Sequence, residues 1–346
     1  MKEMLFTGGY TQTAKGIYCC EFDTQTGRIK VKTIQSHCEN PNFIALDHNR
    51  NLLLALNENE ESTWITSYGI TQKGGLAPAD KIEIGGRGPC HISVDERDGR
   101  VFYANYESGE IGAVFLEEEG KFSGRIQKIQ HTGSSVAQRQ ESPHPHGVHV
   151  LAEPGLLLVP DLGTDEVKLY DISNARMELA DVVRVRPGDG PRHAVSHPDG
   201  RKVYLICELQ NVIYTYVWNK GKLEERQRIS LLPPDAQGEY IAGEIAVTAD
   251  GSHLIASTRA WGSRKQAPGY LSVFRIEDSG CLRYTKSLES GGSHPRMFLV
   301  TKDDRYVLVA NQYSDSLTVF RTEDRGENLT ECASIAIPEI TCVLCR

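Results

Sequence analysis

The 346-residue chain contains no apolar run approaching the ~20 residues that a membrane-spanning helix needs. Its start, Met1-Lys2-Glu3-Met4-Leu5-Phe6-Thr7-Gly8-Gly9-Tyr10, has no long apolar core ahead of a cleavage site. That text reads as a first strand rather than a signal peptide, so the cytoplasm is the expected compartment and no membrane partner is expected. Basic clusters and basic–aromatic interleaving are also missing, and the net charge is −8. A dedicated nucleic-acid surface is therefore excluded. There are nine cysteines, an odd number. Cys207, Cys332 and Cys342 sit in apolar strand-like text and are expected to be buried free thiols. The vicinal Cys19-Cys20 would point to opposite faces of a strand, which argues against a redox pair. His144-x-His146 lacks a third ligand at a fixed spacing, and Arg192 would oppose a cation, so neither a metal nor another cofactor is expected.

What is present is a repeated phrase. A small residue, Pro, two variable positions and an apolar residue open an alternating apolar stretch that ends in an Asp- and Gly-containing turn. The phrase appears as Asn40-Pro41-Asn42-Phe43-Ile44, Gly88-Pro89-Cys90-His91-Ile92 and His144-Pro145-His146-Gly147-Val148. It returns as Gly190-Pro191-Arg192-His193-Ala194 and His294-Pro295-Arg296-Met297-Phe298. A unit of roughly 45 to 56 residues with only strand-like text inside it signals a propeller. Hydrophobic content of 39 % and charged content of 24 % are ordinary for a globular protein.

Each unit reads as four strands. From Pro191, a first strand precedes the turn His197-Pro198-Asp199-Gly200, and a second runs from Lys202 to Glu208. A third covers Asn211 to Trp218, and a fourth follows the turn at Asn219-Lys220-Gly221-Lys222. Other second strands are expected at 52–56, 101–105, 156–161, 254–259 and 306–311. The N-terminus starts with a second-type strand, and Ile337 to Leu344 looks like a lone first strand. Together the two ends complete one blade and remove the free sheet edges. The prediction is an all-β, seven-bladed β-propeller of four-stranded antiparallel blades, one domain over residues 1–346; the competing reading is a pair of β-sandwiches.

Strand order then gives a site. An innermost first strand, antiparallel to the second, places first-strand starts and second-strand ends on one face. Starts contribute Asn42, His91, His144, His146, Arg192, His193, Glu244 and Arg296. Ends contribute Asn57, Glu58, Asn105, Asp161, Glu208, Arg259, Asn311 and Gln312. Such a ring suits an anionic small molecule, because guanidinium binds phosphate and carboxylate through paired donors. His91, Asp161, His193, Arg296 and Asn311 are the expected substrate contacts. Asp199, Asp250 and Asp303 lie on the opposite face and are expected to form turns.

Ser142-Pro143-His144-Pro145-His146, Gly190-Pro191-Arg192-His193, Cys207-Glu208-Leu209, Ser257-Thr258-Arg259 and Ser293-His294-Pro295-Arg296, taken in order, resemble the lactonase family of seven-bladed propellers. That family includes bacterial propeller-type 6-phosphogluconolactonase and the fungal carboxy-muconate lactonizing enzyme. The resemblance covers essentially the whole chain and implies a cytoplasmic enzyme that opens or forms a lactone. It implies a site of one His, two Arg and a Glu, mapping here onto His144 or His146, Arg192, Glu208 and Arg259. The family's usual Asn-Arg with small residues after it is here Thr258-Arg259-Ala260-Trp261-Gly262, and the stretch to Gly269 is longer and more basic. The leading expectation is hydrolysis of 6-phospho-D-glucono-1,5-lactone, with His144, His146 or Glu208 as base. The alternatives are a lactonizing isomerase or a lactonase for another acid, and a non-catalytic binding platform. A monomer or weak homodimer is expected.

Overall fold

Alternating apolar text punctuated by Asp, Asn and Gly folds into short antiparallel strands joined by tight turns. The computed structural model describes residues 2–151 and 155–346. It consists of seven four-stranded antiparallel sheets, one for each expected repeat. Numbered from the N-terminus, the blades have innermost strands Ile340–Cys345, Phe43–Asp47, Pro89–Asp95, His149–Val150, Pro191–Ser196, Tyr240–Val247 and Pro295–Val300. The second strands are Lys2–Gly9, Leu52–Glu58, Arg100–Asn105, Leu156–Asp161, Lys202–Cys207, His253–Ala260 and Tyr306–Asn311. Turn carboxylates sit where the text put them: Asp199 accepts from the Arg201 N–H at 2.8 Å, and Asp250 from that of Ser252 at 2.9 Å.

The blades differ in burial from inside to outside. Second strands are nearly continuous apolar runs because neighbouring blades cover both faces, as in Leu52–Glu58, where six of seven residues are buried. Fourth strands are much less covered, and Phe122–Gln130 has no buried residue. The apolar core therefore lies between blades. Cys19 packs with Leu54 and Leu56, and Cys20 packs on the other face with Tyr306 and Leu308. All nine thiols are free. Cys207 and Cys342 are buried, but Cys332 is exposed, contrary to expectation. It lies on the outermost strand Asn328–Ala336, where no further blade covers the outer edge.

Closure follows the reading of the ends. Ile340–Cys345 pairs antiparallel with Lys2–Gly9, with Thr7 opposite Val343 and Leu5 opposite Cys345. The last strand of the chain is thereby the innermost strand of blade 1, and the ring has no open seam.

Candidate active site

The Pro phrase builds the mouth of the channel. The residue before Pro has positive φ in four blades: Asn40 (38°), Gly88 (63°), Gly190 (66°) and His294 (59°). Immediately after Pro the ladder slips by one residue, between Pro89 and His91, Pro191 and His193, and Pro295 and Met297. Cys90, Arg192 and Arg296 are thus the extra residues of β-bulges, devices that re-aim a side chain beside a site. In blade 6, which lacks the Pro, the slip falls between Ala242 and Ile245.

A cavity of about 260 Å³ opens at this mouth, below the ~300 Å³ at which drug-sized pockets begin, so it suits one small sugar-sized molecule. Its centre is Glu208, the residue just beyond strand Lys202–Cys207, fixed by its N–H to the carbonyl of Gly190 at 2.7 Å. Three guanidiniums converge on this carboxylate. Arg139 Nη1 donates to Oε1 at 2.7 Å, Arg192 Nε to Oε2 at 3.0 Å and Arg259 Nη2 to Oε2 at 2.8 Å. Glu208 and Arg192 are each 2 % exposed. Burial alone would raise the Glu208 pKa; Arg259, Arg139 and Arg192 outweigh it and hold the carboxyl well below the usual range. His146 Nε2 stands 3.8 Å from Glu208 Oε2, close but too far for a direct hydrogen bond. Burial, assisted by the charge of Arg192, pushes the His146 pKa well below its usual value, so the ring is neutral. Three residues lining the cavity keep a buried polar atom without a partner: His146 Nδ1, Arg259 Nε and His294 Nδ1. Unsatisfied groups gathered round one cavity are a mark of a working site.

Of the residues singled out in the sequence, the fold brings Glu58, His146, Arg192, Glu208, Arg259 and Arg296 together around this cavity. The others stand elsewhere. His144 lies outside it: its ring stacks on Tyr106 at 4.3 Å, and its Nδ1 bonds the Tyr106 carbonyl at 2.8 Å. Asp161 is fully buried beneath, bonded to His131 Nδ1 at 2.6 Å and to the N–H of His144 at 2.8 Å, so it holds the backbone of the His-Pro-His run. Asn311 lies outside the cavity, its Nδ2 donating to the Ser290 carbonyl and the Thr318 hydroxyl. His91 and His193 form a deeper layer of the channel with His149 and Phe43, their rings 4.6 to 6.3 Å apart. His193 Nδ1 is 3.0 Å from Glu244 Oε1. The physical reason is the bulge: one residue past it the side chain points down the channel instead of into the mouth.

Sequence reasoning missed Arg139 and Tyr106. Arg139 lies on the segment joining blades 3 and 4, and the wide spacing between Pro89 and Pro145 was the available signal. Tyr106 accepts from Arg139 Nη2 at 3.1 Å. The stretch after Arg259 contributes Trp261 to the cavity, with Arg139 over its ring at 5.6 Å, whereas Arg264 turns away to the carbonyl of Gln237. Among the described residues no group of three or more His, Cys, Asp or Glu is arranged to hold a metal ion.

A family model described as lactonase, 7-bladed β-propeller, matches residues 4–345. An uncharacterised protein of Lactococcus lactis subsp. lactis is 31 % identical over 360 residues, covering 99 % of both chains. A 6-phosphogluconolactonase of Bacillus subtilis is 27 % identical over 344 residues, covering 98 % of this chain and 97 % of its own. The periplasmic gluconolactonase of Pseudomonas aeruginosa superimposes with a TM-score of 0.91 at 28 % identity, covering 100 % of this chain and 99 % of its own.

Proposed function

Because the chain belongs to the lactonase family of seven-bladed β-propellers, we propose that the cavity around Glu208 hydrolyses a sugar-acid lactone, with 6-phospho-D-glucono-1,5-lactone as substrate and 6-phosphogluconate as product. The observation that carries this reading is an ionised Glu208 held by three arginines beside a neutral His146. The relative from Bacillus subtilis, named a 6-phosphogluconolactonase, supports the same substrate.

The chemistry is divided between these groups. Glu208 is too strongly held as an anion to be the base; it anchors Arg192 and Arg259 and faces the His146 ring. Neutral His146 takes a proton from water as the water oxygen bonds to the lactone carbonyl carbon. The imidazolium that forms faces the Glu208 carboxylate, which stabilises the charge. Arg192 and Arg259 face the carbonyl oxygen as it becomes negative. Collapse of the tetrahedral intermediate breaks the bond to the ring oxygen, which receives the proton back from His146. The carboxylic acid so formed loses its own proton to solvent. A strained lactone opens slowly unaided, so positioning plus one base is sufficient.

The test is turnover of freshly generated 6-phosphogluconolactone, coupled to 6-phosphogluconate dehydrogenase and compared with the spontaneous rate, beside glucono-1,5-lactone and a muconate-derived lactone. Acceleration of the phosphorylated lactone is expected. Acceleration of the muconate lactone alone would replace the substrate assignment.

A further inference from the structure

Four guanidiniums line the cavity, and they are not equivalent. Arg139, Arg192 and Arg259 share the charge of Glu208. Arg296, the bulge residue of blade 7, has no carboxylate within 4 Å among the described residues. It makes a long contact of 3.4 Å to Gln312 Oε1, and the Tyr10 hydroxyl lies within its reach, with the Tyr10 ring centroid 5.6 Å from Cζ. Glu58 lines the same wall, but its Oε1 accepts from Asn42 Nδ2 at 2.9 Å; burial raises its pKa, and the more distant charge of Arg296 opposes that rise. His294, 3 % exposed, packs on Tyr313 with ring centroids 4.0 Å apart and keeps Nδ1 without a partner. A half-buried guanidinium with donors unspent is costly unless a ligand supplies the counter-charge.

We infer that Arg296, with the Tyr10 hydroxyl beside it, is the specificity-determining anchor for a phosphate dianion carried at the end of the substrate remote from the reacting carbonyl. This rests on the lactonase reading of the cavity. The division follows from charge. Around Glu208 one carboxylate already offsets part of three cations, which suits an uncharged carbonyl that becomes negative only during reaction. At Arg296 no carboxylate comes within ion-pair distance among the described residues, which suits a group that is negative throughout. The planar fork of guanidinium matches two phosphate oxygens, and a phenol hydroxyl donates to a third. Lysine at this position would keep the charge and lose the fork.

The experiment compares wild type with Arg296→Met, Arg296→Lys and Tyr10→Phe, each checked for an unchanged thermal midpoint. The readout is the ratio of kcat/KM for 6-phosphogluconolactone to that for glucono-1,5-lactone. Arg296→Met is expected to lower this ratio roughly 10- to 100-fold, mostly through KM, as loss of a charge-assisted bond would. Arg296→Lys and Tyr10→Phe should fall between. An unchanged ratio, or a wild type that prefers the uncharged lactone, overturns the anchor while leaving the lactonase reading intact. If wild type accelerates neither lactone, that reading fails. The anchor is then decided by calorimetric titration with 6-phosphogluconate and inorganic phosphate: binding lost in Arg296→Met supports it, and equal binding overturns it.

Discussion

His144 and His146 are two residues apart and flanked by prolines, yet only one faces the cavity. His144 is held under Tyr106, while His146 meets the Glu208 side of the site. The base assignment makes a pH prediction. His146 is active when neutral, and its pKa is displaced downward by burial and Arg192. Activity should therefore persist as pH falls through the ordinary histidine value of about 6.5, and decline only once the lower folded value is reached. A pH profile of kcat/KM from 8 down to 4.5 checks this, with His146→Gln expected to lower kcat about 10²- to 10⁴-fold. An inflection near 6.5, or a His146→Gln variant at wild-type kcat, would remove His146 from the role. Which residue types gather here was legible in the sequence. Which of two neighbours faces the substrate was not, because it depends on long-range contacts, the Tyr106 ring and carbonyl that hold His144, which composition does not encode.

At the scale of the element, the working unit is the positive-φ residue, the proline and the bulge behind it. Gly190 illustrates its demands. Its φ is +66°, a Cβ there would come within 2.6 Å of Leu209 Cγ, and its carbonyl receives the Glu208 N–H. Gly190→Ala should cost about 1–3 kcal/mol of stability and displace Glu208, lowering kcat as well. Denaturant unfolding and turnover measured together test this; a variant as stable and active as wild type would show that the phrase is not the constraint described. The strands themselves were highly legible. Leu156–Asp161 and Tyr306–Asn311 begin and end where the text placed them, because a strand covered on both faces reads as an unbroken apolar run between turn residues. Connections were less legible. The segment bearing Arg139 has no periodicity, and only its excess length marked it.

The whole molecule closes through its own termini, and this too was visible as a missing first strand at one end and a spare one at the other. Closure leaves a channel whose lower layer is filled by histidines. His91 and His193 in that layer, and His146 above it, are held well below their usual pKa, and His149 in it at about 4, in each instance chiefly by burial. The sign follows directly. Below about 6.5 the unfolded chain binds protons that these folded imidazoles refuse, so stability falls as pH drops, by up to about 1.4 kcal/mol per pH unit for each group. Glu58 and Glu244, raised by burial, work in the opposite sense but are two groups against four. Melting temperatures at pH 7.5, 6.5, 5.5 and 4.5 should be level at first and then fall with increasing steepness. A flat series to pH 4.5 would contradict neutral burial of the layer.

The measurement that bears most directly on the account is turnover of 6-phosphogluconolactone above its spontaneous rate by wild type, Arg192→Met and Glu208→Gln. Acceleration by wild type that disappears in both variants, with the fold retained, is the predicted result. Wild-type acceleration in folded Glu208→Gln and Arg192→Met would contradict the placement of the reaction in this cavity.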